Sequence, residues 1–156
     1  MAYNYNNEKR FQRNPMEDKD AAAKGFLKEH QFKKEWISDG SDAEMIAFSE
    51  QVGKFLAEGG PEKQLSTSQI RNIFGEIKRI QLKGLNDPAA LASFMLLKPK
   101  VAYAEGRKHN QGIFVFRKYF DEAWAVVLEG NREKRFNNFC NLLEAILAYH
   151  KANGGK

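Results

Sequence analysis

The chain has 156 residues, 42% of them hydrophobic and 12% aromatic, enough for one well-formed core and too few for a second domain of ordinary size. Its formal charge is +5, from 25 Lys and Arg against 20 Asp and Glu, a balance that favours a polyanionic partner. The lone cysteine, Cys140, excludes an internal disulfide and a thiolate zinc cluster. With no run of about 18 apolar residues and no apolar stretch in the Asn-rich start, the expectation is a soluble, unexported, cytoplasmic protein with no membrane partner.

Apolar residues recur every three to four positions almost everywhere, which predicts an all-α chain. Residues 1–25 are mostly Asn, charged residues and Ala and cannot repay their ordering entropy alone, so a flexible arm is expected there. Phe26, Leu27, Phe32, Trp36 and Ile37 could form a short helix or strap. The first firm helix is predicted from Ser41, with Ser41 and Glu44 at capping-box spacing, to a stop at Gly59, Gly60 and Pro61. A second starts at Ser66, where Ser66 and Gln69 form a capping box and Leu65 and Ile70 a hydrophobic staple, and runs to about Lys83. Asp87 and Pro88 open a third that reaches about Lys108 and is expected to kink or split at Pro99. Two more follow, over about 113–128 and 132–152. The expected architecture is a compact bundle of about five to six helices occupying residues 31–156, preceded by a flexible, disordered arm over residues 1–30.

Catalytic chemistry is hard to place. His30, His109 and His150 stand on different elements without ligand spacing, so no metal or other cofactor is expected. Cys140 falls inside the apolar stripe shared by Phe136, Leu143 and Leu147, which reads as a buried, inert thiol, and His150 reads as a packed or capping histidine. No phosphate loop or nucleophile elbow is present. The expectation is a non-enzyme.

Residues 67–108 carry eight basic and three acidic side chains and account for the charge excess together with the C-terminal third. On the helix from Ser66, Ile70, Ile73, Phe74, Ile77 and Ile80 take one side, while Arg71, Lys78, Arg79 and Lys83 take the other. Arg71 and Lys78 are two turns apart and share a ridge about 10.5 Å long. After Pro99 the arrangement recurs with Lys100, Arg107 and Lys108, where small Ala104 leaves the ridge open and Tyr103 stands at the flank. A solvated helix face accounts for either ridge alone; two such ridges suit a phosphate backbone. Nothing in the spacing reads bases, and although Tyr103 could stack on a nucleotide, an aromatic at helical spacing is more often half-buried core.

Three stretches stand out together: QLSTSQIRNIF from Gln64, VAYAEGRK from Val101 and RFNNFCNLLEAILAYHKANGGK from Arg135. They resemble the small helical subunit of type III-A CRISPR effector complexes, the Csm ribonucleoproteins, in the family's order over most of residues 64–156. The resemblance implies a non-catalytic subunit, stacked in several copies beside backbone subunits that grip the guide RNA. It also implies a basic face toward the target RNA, with the large subunit as a further partner. By motif, Arg71 and Arg107 are the RNA-binding residues carried over. Lys78, Arg79, Lys100, Lys108 and Arg135 join them on helical geometry, and the guide (crRNA) is a possible second ligand. The alternatives are a protein-only assembly factor, an enzyme using Cys140 or a histidine, and a helix-turn-helix, which the apolar segment before Leu97 disfavours.

Overall fold

The computed structural model describes residues 15–60 and 63–155. Among them are seven α-helices: α1 (Pro15–Glu29), α2 (Glu35–Ser38), α3 (Ala43–Ala57), α4 (Thr67–Lys83), α5 (Pro88–Arg107), α6 (Gln111–Val127) and α7 (Arg132–Ala152). The all-α bundle is as expected. None of these helices is long and apolar enough to cross a membrane.

Local signals fix most helix starts. Ser66 and Gln69 form the expected reciprocal capping box on α4, and the Asp87 side chain accepts from the Ala90 amide at the start of α5. Asn110 and Asn131 cap α6 and α7 in the same way. At α3 the cap is Asp42, whose carboxylate accepts from the Met45 amide, and not Ser41. Asp is at least as good an N-cap as Ser, and it stands one residue closer to the first buried turn. Pro61 of the expected stop signal lies outside the described residues.

Pro99 does not split α5. Its missing amide would have bonded the Met95 carbonyl, and both residues are exposed, so water can take that place. Residues 15–29, expected to belong to the flexible arm, form α1, which packs against α6. Ala23 is fully buried, and the Phe26 ring stacks on Phe55 of α3 at 4.4 Å between centroids. The small side chain of Ala23 lets the backbone approach closely, which a count of large apolar side chains does not register. The arm's first fourteen residues lie outside the described residues.

α3 and α7 make the most extensive helix contact. They meet at Gly53, where an added Cβ would stand 2.5 Å from the Tyr149 Cβ and 2.7 Å from the His150 amide nitrogen. Around this axis Phe94, Phe120, Phe136 and Phe139, from α5, α6 and α7, form an aromatic cluster with centroids 5.5–6.0 Å apart. Such pairs add about 0.5–1.5 kcal/mol each beyond burial. A second cluster runs from Trp36 through Phe48 to Tyr119, whose hydroxyl donates to the His30 carbonyl.

The short segment before α4 is held from three sides. The Leu65 amide donates to the Leu56 carbonyl at 2.9 Å, and the Gly112 amide donates to the Lys63 carbonyl at 2.8 Å. The buried His150 ring lies with Nε2 2.9 Å from the Leu65 carbonyl, which makes Nε2–H the donor. Gly155 folds back over that ring, leaving no room for a side chain.

Burial holds the His150 pKa below its ordinary value of 6.5. Below pH 6.5 the unfolded chain therefore takes up a proton that the fold resists, so stability is full above that pH and declines as the pH falls. The urea midpoint should drop between pH 7.5 and pH 5.5, and His150→Gln should lower it at pH 7.5 while flattening the acid-side decline. Gly53→Ala should cost about 3 kcal/mol or more by the same assay, because backbone atoms block the added methyl.

Candidate nucleic-acid interface

α4 and α5 run antiparallel, joined by a short turn at Gly84, and a groove of about 900 Å³ opens between their outward faces. Which face each helix presents follows from what it buries. α4 turns Ile73, Ile77 and Ile80 inward, and α5 turns Ala90, Phe94, Leu97 and Val101 inward. The polar sides are thereby left flanking the same opening.

The register of the two walls is set by Gln69. Its side-chain oxygen accepts from the Ser66 amide at 3.1 Å and from the Asn110 side chain at 3.3 Å, while its Nε2 donates to the Lys108 carbonyl at 3.1 Å. One amide thus ties the start of α4 to the end of α5 and to the N-cap of α6. Arg71, two residues after Gln69, and Arg107 and Lys108, at the other side of the bond, are carried to the same end of the groove.

Five cations line the groove, Arg71, Arg79, Lys100, Arg107 and Lys108, against one acid, Glu76. Glu76 spans the walls: one carboxylate oxygen meets Arg79 Nη2 at 2.6 Å on its own helix, and the other meets Lys100 Nζ at 3.7 Å on α5. Arg71, Arg107 and Lys108 meet no carboxylate partner among the described residues. The positive charge is therefore concentrated at the end that Gln69 holds together.

The two remaining predicted residues are not brought to this groove. Lys78 reaches away from it to Glu144 of α7 and lies over the Phe74 ring, 5.4 Å from its centroid. The expected ridge of Arg71 and Lys78 is accordingly replaced by Arg71, Gly75 and Arg79, because the helix edge that carries Lys78 is turned toward α7. Arg135 sits at the α6–α7 turn, mostly buried, where Nη1 donates to the Val126 carbonyl at 2.8 Å and lies 3.8 Å from Glu129. It caps the last turn of α6, a favourable place for a cation.

Sequence reasoning missed three contributors. Gln69 is legible as a cap but not as a bridge, since Lys108 and Asn110 are about forty positions away. Glu76 reads as the lone acid of a basic face, and only the fold shows it clamping that face to α5. Gly75 sits in the middle of α4 at the groove, and an added Cβ there would meet nothing within 4 Å. A glycine inside a helix with no packing reason is a signal that the sequence did offer.

Cys140 is buried, and its thiol is pushed up to about 12 by desolvation and then by Glu144, which leaves it protonated and unreactive at neutral pH. Among the described residues no three His, Cys, Asp or Glu side chains are grouped to hold a metal ion.

A family model described as Csm2 Type III-A matches residues 40–156. A relative described as CRISPR system Cms protein Csm2, from Enterococcus italicus, is 34% identical over 93 residues, which cover 56% of this chain and 66% of that protein, just under two thirds of its length. No solved structure matches significantly.

Gly75 lies within the family-matched span and costs helix stability without a steric cause. Gly75→Ala should stabilise the protein by about 1 kcal/mol, read as a raised urea midpoint. A lowered midpoint would reveal a packing contact at the groove floor that the structure lacks.

Proposed function

The chain belongs to the Csm2 Type III-A family, and from that footing we propose that it is a non-catalytic structural subunit of a type III-A CRISPR complex whose α4–α5 groove holds the target RNA by its backbone. The observation that carries this reading is the convergence of Arg71 and Arg107 on one groove with five cations to one acid. Each phosphate neutralised there releases condensed counterions, which gives affinity without sequence preference. Sequence choice is left to base pairing with the guide RNA.

The pattern of charge supports the assignment of roles. Arg71, Arg107 and Lys108 meet phosphate most directly, because among the described residues no carboxylate pairs with them. Arg79 and Lys100 contribute at lower strength, since Glu76 already holds them. Lys78 and Arg135 remain weaker candidates, engaged with Glu144 and with the end of α6. A single copy offers few cations, so binding by one subunit is weak, and stacking of copies beside the backbone and large subunits raises it through effective concentration.

The double variant Arg71→Glu/Arg107→Glu should weaken binding to every RNA sequence alike. It should also reduce the slope of log affinity against log salt by about 1.4, from two single-strand phosphate contacts at about 0.7 each. Fluorescence anisotropy over a salt series checks both. An unchanged affinity and slope, together with no RNA crosslink to this subunit in the assembled complex, would leave a protein-only assembly role instead.

A further inference from the structure

The groove is not lined by charge alone. Tyr103 is 70% exposed and Leu96 is 55% exposed, and both lie in the groove wall formed by α5. Tyr103 stands two positions past the buried Val101, about 200° around the helix, which turns its ring away from the core. An aromatic at helical spacing is more often half-buried core than a ligand contact, and the fold leaves this one bare.

Its surroundings are specific. One turn before it are Pro99 and Lys100, and one turn after it is Arg107, so the ring is flanked along the helix axis by two cations that line the same groove. Across the opening the α4 wall is lowered by Gly75, where no side chain fills the space. A large, mostly exposed ring with no aromatic partner among the described residues, between cations and opposite a gap, matches a chain of alternating phosphates and flat bases. A duplex keeps its base faces stacked inside and offers such a ring nothing to cover.

We infer that Tyr103 is a stacking platform for an unpaired base, so that the groove takes single-stranded nucleic acid in preference to duplex, with Arg107 and Lys100 on the flanking phosphates. This rests on the RNA reading above and goes beyond it, since that reading asks only for backbone contacts. Leu96, two turns earlier on the same helix, adds a second exposed apolar side chain to the groove wall.

The test uses the full chain at low salt and three labelled probes: a short single-stranded RNA, the same backbone carrying abasic sites, and an RNA duplex. The wild type should bind the base-bearing strand most tightly. Tyr103→Ala should weaken that complex about tenfold while changing abasic-strand and duplex affinity less than about twofold, the size expected for loss of one stacked base. Tyr103→Phe should keep wild-type affinity, because it preserves the ring. Equal loss on the abasic strand, no loss on the base-bearing strand, or a Phe variant as weak as the Ala variant each overturns the stacking role. Arg71→Glu/Arg107→Glu separates the two levels: if it loses abasic-strand binding while Tyr103→Ala changes nothing, only the platform falls, and if it binds the abasic strand like the wild type, the backbone reading falls with it.

Discussion

The position of α4 depends on three hydrogen bonds made by the backbone of residues 63–65 before the helix begins. Leu56 of α3, Gly112 of α6 and His150 of α7 each hold that short segment, and Leu65 itself is fully buried between them. A helix whose first residues are pinned in this way has little freedom in where its faces point. Its isoleucines then meet the core, and its arginines are aimed along α5. The neutral imidazole of His150 is part of this restraint, because only its N–H can donate to the Leu65 carbonyl while a buried charge would be costly.

Gln69 and Glu76 divide the work of holding the groove. Gln69 fixes one end through neutral hydrogen bonds, which bring no carboxylate to the nearby cations. Glu76 fixes the middle through charge, and by doing so it takes up part of the potential of Arg79 and Lys100. The result is a gradient along the groove, strongest at Arg71, Arg107 and Lys108. Placing several like charges together opposes folding, and here the cost is limited because the side chains remain solvated and screened. On the proposed reading, water and small counterions around these side chains would be exchanged for a polyanion.

The aromatic residues show the opposite arrangement. Most rings interlock inside the bundle, where Phe94, Phe120, Phe136 and Phe139 join three helices. Tyr103 is left outside that network on the same helix as Phe94. α5 is apolar on its core side and carries both cations and exposed apolar residues on the other. A helix serving only as a wall of the core has no use for that second face.

The sequence by itself determined the helical class, the starts of α4, α5 and α7, the burial of Cys140 and the basic character of residues 67–108, because capping and periodicity act within a few residues along the chain. The family resemblance was legible for the same reason: its motifs are short contiguous runs, although Lys156 at the end of the last one lies outside the described residues. What only the tertiary structure decided was which cations share a surface. Arg71, Arg79, Lys100, Arg107 and Lys108 gather because α4 and α5 pack at a register set by Gln69 with Lys108 and Asn110, whereas Lys78 turns to Glu144 and Arg135 to the end of α6. The helical folding of residues 15–29 was equally illegible, since it depends on the distant partners α3 and α6. Periodicity gives each side chain an angle on its own helix; the rotation of one helix against another is an energy of packing between residues far apart in sequence, and no local pattern encodes it.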